Sequence, residues 1–252
     1  MELKIIGSSS AGNCYVFDNG KEALVVECGI SFTKVKEMVN FDISRIVGCL
    51  VSHEHGDHAK YINDIVRARI MCYMSAGTKE AILNKTRIES YSLPMLTSIN
   101  VFEPFNIGSF KIKPFDVQHD AAEPFGFLIY HPEMGTVLFA TDTYYVKYKF
   151  SGLNNILIEC NYCEKILLEN VKQGVVNGLL LKRTLQSHMS YDTCLETLLA
   201  NDLSEVNNIV LIHLSDGNSN ALDFKQGIQR ATGKTVHIAN KNMTLEFNKT
   251  PF

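Results

Sequence analysis

The chain has 252 residues, 46% of them hydrophobic, which predicts one domain, residues 1–252, around a substantial core. Its formal charge of -3 excludes a chain-wide basic field, so any contact with nucleic acid requires a local patch or a bound metal. The segment MELKIIGSSS lacks the features of a signal peptide, and no apolar run approaches the roughly 20 residues of a membrane span. We therefore expect a cytoplasmic protein that has no membrane partner.

Short apolar runs alternate with turn residues in the first part of the chain. Asp18, Asn19 and Gly20 lie between two such runs and predict the turn of an antiparallel hairpin. Ser31 and Ser75 each stand where a side chain can cap the start of a helix. The strands predicted here are residues 3–6, 14–17, 23–27 and 46–51.

The second part continues with strands and ends with alternating helices and strands. Strands are predicted at residues 110–115, 125–130, 137–140, 156–158, 209–213 and 235–238. Helices are predicted at residues 191–199 and 222–231. Two halves of this kind indicate an α/β fold in which two sheets pack together and the helices cover their outer faces.

The segment SHEHGDH, residues 52–58, concentrates four potential metal ligands directly after a predicted buried strand. A tight turn within the segment can direct His53, His55, Asp57 and His58 into one crevice at the carboxyl end of that strand. Imidazole nitrogens and carboxylate oxygens suit zinc, and also manganese or iron, better than calcium. The spacing favours a metal site over a solvated cluster of histidines.

Three further candidate ligands follow predicted strands. His119, Asp142 and His213 come after residues 110–115, after residues 137–140, and at the end of residues 209–213. Taken alone, His119 is more typical of a loop histidine, Asp142 of a turn aspartate and His213 of a core histidine. Together they extend the predicted site, because strand ends meet at one edge of a sheet.

The segments SHEHGDH, VQHD, ATDT and IHLS, in this order, resemble the metallo-β-lactamase superfamily. The resemblance implies a four-layered αβ/βα sandwich with two divalent metal ions, zinc or manganese, at one edge of the two sheets. It assigns His53, His55 and His119 to one metal, Asp57, His58 and His213 to the second, and Asp142 to a bridging position.

Smaller motifs resemble the YycJ/WalJ-like bacterial exonuclease branch of that superfamily. These motifs are GSSSAGNCYV, HDAAEPFGF, IECNYC, HMS and HLSDGNSN. The resemblance implies 5′-to-3′ exonuclease action on single-stranded DNA, with a hydroxide that bridges the two metals. We assign catalytic roles to Asp57 and His188. His188, in the HMS motif, can donate a proton or a hydrogen bond to the phosphate or leaving oxygen, although packing at a helix start stays open.

Five other residues are candidates for supporting or substrate-binding roles. Glu27 stands where the superfamily usually has aspartate, and it can accept a hydrogen bond from a ligand imidazole. The resemblance places Asn161 and Tyr162 in the cleft, where Tyr162 can stack on a base unless it packs in the core. Lys182 and Arg183 can contact a phosphate backbone, although two adjacent cations are also typical of a solvated surface.

Two other functional classes stay open. The first is a hydrolase of a small ester, thioester or cyclic nucleotide, and the second is a non-hydrolytic metal protein. The 71 positions from Asp142 to His213 exceed the gap usual in a thioesterase and favour the nuclease. An oxidoreductase of this superfamily favours glutamate where His55 stands. Residues 167–181 fit the exonuclease branch poorly and can alter substrate access.

Overall fold

Two sheets occupy the centre of the computed structural model, which describes residues 1–250. The first sheet has seven strands, β1 (Glu2–Gly7), β2 (Cys14–Asp18), β3 (Ala23–Val26), β4 (Ile46–Leu50), β5 (Cys72–Met74), β6 (Leu96–Ser98) and β14 (Met243–Glu246). Their order is β14-β1-β2-β3-β4-β5-β6. Pairing is antiparallel from β14 to β3 and parallel from β3 to β6.

The second sheet has the same number of strands. They are β7 (Phe105–Ile107), β8 (Phe110–Asp116), β9 (Phe125–His131), β10 (Gly135–Ala140), β11 (Leu153–Glu159), β12 (Asn208–Ile212) and β13 (Thr235–Ile238). Their order is β13-β12-β11-β10-β9-β8-β7, antiparallel from β7 to β10 and parallel from β10 to β13. Every residue of β11 is buried, as expected for a parallel strand covered on both faces.

Helices cover the outer faces of the two sheets. They are α1 (Phe32–Met38), α2 (Gly56–Ala59), α3 (Ile62–Arg67), α4 (Ala76–Lys85), α5 (Glu164–Lys172), α6 (Gly178–Ser187), α7 (Tyr191–Leu199) and α8 (Ala221–Thr232). Apolar residues of α1, α3 and α4 pack on the first sheet, and those of α7 and α8 pack on the second. Within residues 1–250, each helix is too short or too polar to cross a bilayer.

The two sheets bury an aromatic core between them. Tyr15 and Phe17 of the first sheet and Phe127 and Phe139 of the second are fully buried in one cluster. The rings of Tyr15 and Phe139 meet edge to face, with centroids 5.5 Å apart. This packing holds the two sheets face to face, with helices on their outer faces. The predicted four-layered αβ/βα sandwich is confirmed.

The predicted hairpin joins β2 and β3. The Asn19 side-chain oxygen accepts the backbone N–H groups of Lys21 and Glu22, and Gly20 adopts a φ of 82° that favours glycine. The strands pair antiparallel, as the turn sequence indicates. Short polar side chains therefore fix this register locally.

Some predicted element ends differ from the structure. The strands expected to include Glu27 and His213 each end one residue earlier, because these residues have φ values of 68° and 53°, outside the extended region. Ser75 caps α4 by accepting the N–H of Thr78 at 3.0 Å, whereas the Ser31 side chain makes no capping hydrogen bond. Both deviating strand ends belong to the functional site.

Candidate metal centre

The candidate ligands lie where strands of both sheets end. The turn after β4 leads directly into α2, so one short segment carries four of them. Loops after β8, β10 and β12 supply the other three from the facing sheet. The fold thus brings together His53, His55, Asp57, His58, His119, Asp142 and His213.

The first ligand group surrounds one oxygen of Asp142. His53 Nε2 and His119 Nε2 lie 3.7 and 3.5 Å from Asp142 Oδ2. His55 Nδ1 lies 3.1 Å from His119 Nε2. One ligand atom from each of these four residues falls within 4.8 Å of all the others, a spacing that one ion can span.

The second ligand group surrounds the other oxygen of the same aspartate. His58 Nε2 and His213 Nε2 lie 3.3 and 3.6 Å from Asp142 Oδ1. Both imidazoles also approach Asp57 Oδ2, at 3.3 and 3.2 Å. Asp142 is therefore shared by the two groups, one oxygen towards each.

Supporting contacts orient the imidazoles from behind. His53 Nδ1 pairs with Ser52 Oγ at 2.9 Å, and His119 Nδ1 lies 2.8 Å from the Ser187 carbonyl. Such partners fix the tautomer and leave the other ring nitrogen for a metal. His53 Nε2 is buried without a protein hydrogen-bond partner among residues 1–250, a costly state unless an ion occupies the centre. The residues present fit a divalent metal.

Glu27, the candidate supporting residue, lies behind the candidate ligand His58. Its Oε2 lies 3.4 Å from His58 Nδ1, and its Oε1 accepts the N–H of Ser52 at 3.2 Å. The carboxylate is fully buried. Its side chain thus links the ends of β3 and β4 behind a candidate ligand.

The charges of the two groups differ in the metal-free protein. Burial lowers the pKa of His53 well below its usual value, which favours the neutral imidazole that metals bind. Burial alone would also lower the pKa of His213, but Asp142, Asp57 and Glu159 raise it to about 10. Protons on imidazoles of this group thus balance the negative charge of the clustered carboxylates, and a divalent cation would displace these protons on binding.

Backbone strain is concentrated at the site. Glu27, Asp142 and His213 have φ values of 68°, 43° and 53°, in a left-handed region that side chains other than glycine seldom adopt. Each follows a strand and directs its side chain into the cluster. Strain of this kind costs on the order of 1 to 3 kcal/mol per residue and is typical of functional sites.

Glu159 is a site residue to which the sequence analysis gives no role. Its Oε1 lies 2.7 Å from His188 Nδ1, while its Oε2 accepts the N–H groups of Thr143 and Met189 at 2.8 and 3.2 Å. Burial alone would lower the pKa of His188, but the Glu159 carboxylate raises it. Glu159 directly follows the apolar residues 156–158 in the quoted motif IECNYC, and this position is the signal that could have identified it.

Asn13, in the motif GSSSAGNCYV, is a second residue without a predicted role. Its Nδ2 lies 3.3 Å from Asp57 Oδ2 and 3.1 Å from His58 Nε2, and its N–H donates to the Asp57 carbonyl at 2.7 Å. The asparagine therefore holds the backbone and side chain of α2 in place.

A cavity of about 530 Å³ opens in front of the two ligand groups. The predicted residues Asn161, Arg183 and His188 line it, together with Leu180 and Thr184 of α6. Residues 167–181, which fit the exonuclease branch poorly, span the end of α5, its connection to α6 and the first turns of α6. Of these residues, Leu180 of α6 lines the cavity.

Two predicted substrate residues lie elsewhere. Tyr162 is 5% exposed and packs in an apolar cluster with Leu167 and Val176. Lys182 is exposed on α6 and does not line the cavity, whereas the adjacent Arg183 does. Helical geometry explains this difference, because successive side chains point about 100° apart around the axis.

Comparisons with known proteins point to one family. The beta-lactamase superfamily domain matches residues 23–214. Exodeoxyribonuclease WalJ of Streptococcus pneumoniae serotype 2 is 26% identical over 228 residues, covering 86% of this chain and 83% of that protein. Exodeoxyribonuclease YycJ of Bacillus anthracis is 24% identical over 229 residues, covering 87% of this chain and 84% of that protein.

Solved structures share the fold at lower identity. The metallo-beta-lactamase fold protein YhfI of Bacillus subtilis superposes with a TM-score of 0.71 at 17% identity, covering 97% of this chain and 99% of that chain. The short form of human tRNase Z gives a TM-score of 0.64 at 15% identity, covering 98% and 99%. At these identities the likeness shows the fold alone.

Proposed function

This chain belongs to the beta-lactamase superfamily and is a metal-dependent hydrolase, and from that premise we propose that it is a dinuclear nuclease. The observation that carries the proposal is the position of Asp142, which presents one carboxylate oxygen to each of two ligand groups. Two ions held in this way suit phosphodiester hydrolysis. The names of the two exodeoxyribonuclease relatives support DNA as the substrate.

Two divalent ions, zinc or manganese, would be held by the seven clustered side chains. His53, His55, His119 and Asp142 would hold one, and Asp57, His58, His213 and Asp142 the other. When bound, the ions supply Lewis-acid stabilisation of the phosphate charge and favour ionisation of the attacking water.

The remaining site residues handle the proton and the substrate. Glu159 holds His188 by Nδ1, so the other ring nitrogen is free to give a proton to the leaving oxygen. Arg183 lines the same cavity and forms an exposed ion pair with Asp120 at 3.2 Å. Such a pair is weak in water, so a substrate phosphate can replace the aspartate.

We propose a single strand, cut from its 5′ end, as the substrate. The cavity of about 530 Å³ is in the range of roughly 300 to 1,000 Å³ typical of small-ligand sites, which supports a single strand over a duplex as the substrate. The same volume favours one alternative, a hydrolase of a small ester, thioester or cyclic nucleotide.

A substrate screen separates these activities. We expect zinc- or manganese-dependent release of nucleotides from labelled single-stranded DNA, faster than from duplex DNA or RNA, with little turnover of a thioester or a cyclic nucleotide. Comparing 5′ and 3′ labels gives the direction of cleavage. Turnover of the small esters without cleavage of any oligonucleotide would establish the alternative and reject the nuclease.

Metal content tests the dinuclear site independently of activity. We expect elemental analysis to find two ions per chain and metal-stripped protein to unfold at a lower temperature. A ligand present at 100 times its Kd stabilises the folded state by about 2.7 kcal/mol per site. Protein that holds at most one ion under saturating zinc or manganese would rule out the dinuclear proposal.

A further inference from the structure

A second cavity, of about 470 Å³, lies beside the candidate metal centre. The loop that follows β1 separates the two cavities. Ser10 of this loop lines the catalytic cavity, whereas its neighbours Ser9, Ala11 and Gly12 line the second one. A chain that crosses this loop would therefore occupy both cavities.

The second cavity is basic although the chain as a whole is acidic. Lys34, Lys60 and Lys241 line it, and none of its lining residues is a carboxylate. Within residues 1–250, neither Lys60 nor Lys241 has a carboxylate within 4.0 Å. Lys34 pairs with Glu37 at 2.7 Å, but both side chains are about half exposed, and such pairs contribute little. We call this site the lysine cavity.

The wall of the lysine cavity packs directly on the metal-binding segment. A Cβ atom on Gly29 would lie 1.7 Å from the Asp57 carbonyl oxygen, so only glycine allows this approach. Gly12 in turn packs against Gly29, where a Cβ atom would lie 2.7 Å from the Gly29 carbonyl oxygen. Lys60 directly follows α2, which carries Asp57. One backbone layer therefore separates the cavity from a candidate ligand.

We propose that the lysine cavity binds the phosphate backbone of the substrate strand beyond the bond that is cut. The proposal rests on the nuclease function proposed above. Lysine ammonium groups bind phosphates as point charges and independently of base sequence. An exonuclease that degrades strands of any sequence requires binding of this kind. The cavity also places positive charge next to the active site, which the chain-wide charge of -3 does not provide.

The experiment compares K60Q/K241Q with wild type on single-stranded DNA of increasing length and on bis(p-nitrophenyl) phosphate, which has no strand. We expect KM of the wild type to fall with oligonucleotide length and this dependence to disappear in the double variant. For long strands we expect kcat/KM to fall about tenfold at moderate salt, a larger loss than for the small ester. The slope of log affinity against log salt should become shallower by about 1.4 for two lost phosphate contacts.

K85Q is the matched control, because Lys85 is an exposed lysine at the end of α4 that lines neither cavity. It should retain the length dependence and the salt slope. If wild type cleaves single-stranded DNA and K60Q/K241Q keeps both properties, the lysine cavity is not a strand site, while the nuclease function stands. If wild type cleaves no oligonucleotide, the proposed function and this inference both fail.

Discussion

The substitution Asp142→Asn is expected to abolish cleavage and to leave at most one ion per chain. Asp142 presents Oδ1 to His58 and His213 and Oδ2 to His53 and His119, so both ligand groups depend on it. Asparagine has the same shape and tolerates the left-handed backbone at this position, but its amide nitrogen is not a ligand. Losing a residue that supports a metal ligand typically lowers metal affinity or activity 10- to 100-fold, so losing the shared ligand itself should lower activity by at least about 10³-fold.

Asp18→Asn is the matched control for this chemical change. Asp18 is also buried, but it pairs with the cations of Lys4 and Arg45, at 2.9 and 2.6 Å, and not with imidazoles. We expect this variant to unfold at a lower temperature and to keep its metal and its turnover. Elemental analysis and cleavage rates of both variants check the prediction. An Asp142→Asn protein that holds two ions and cleaves at the wild-type rate would exclude a bridging role.

The sequence predicts the sandwich well because its signals are local and repeated. Strands β2 and β13 and helix α7 agree with the predicted ranges to within one residue, since their apolar patterns match one periodicity. The predicted ranges for β3 and β12 were wrong at one end, since each extends one residue beyond the observed strand. Glu27 and His213 directly follow apolar runs, so the sequence pattern predicts that the strands continue through them. In the structure both residues instead adopt the left-handed conformation that directs their side chains into the site.

Residues that act through distant contacts were harder to predict than the cluster in residues 52–58. Glu159 reaches His188 across 29 positions, and Asn13 reaches Asp57 across 44. Neither pairing has a periodicity or a spacing that a single sequence displays. For Tyr162 the motif predicts a position that the structure does not show, since the motif places the residue at the cleft but its ring packs in an apolar cluster. Direction of a side chain depends on tertiary packing, which the motif does not specify.

The substitution His188→Ala is expected to retain the fold and both ions while lowering turnover by roughly 10²- to 10⁴-fold, the usual range for a positioned acid or base. His188 lines the cavity and is held by the buried Glu159 at 2.7 Å. Glu159→Gln should give a smaller loss, because the amide oxygen still accepts from Nδ1 but lacks the charge. His188→Gln tests the role directly, since an amide donates a hydrogen bond but does not transfer a proton.

The control His131→Ala removes another histidine that pairs with a glutamate, Glu22, at 3.2 Å but lies away from the metal centre. It should change stability and not turnover. Metal content matters here, because His188 also falls within 4.8 Å of a set formed by Asp142, Glu159 and His213. If His188→Ala loses an ion while His213→Ala keeps both, the two histidines exchange roles and His188 is a ligand. If His188→Ala cleaves at the wild-type rate with both ions bound, the proton must reach the leaving oxygen from another group.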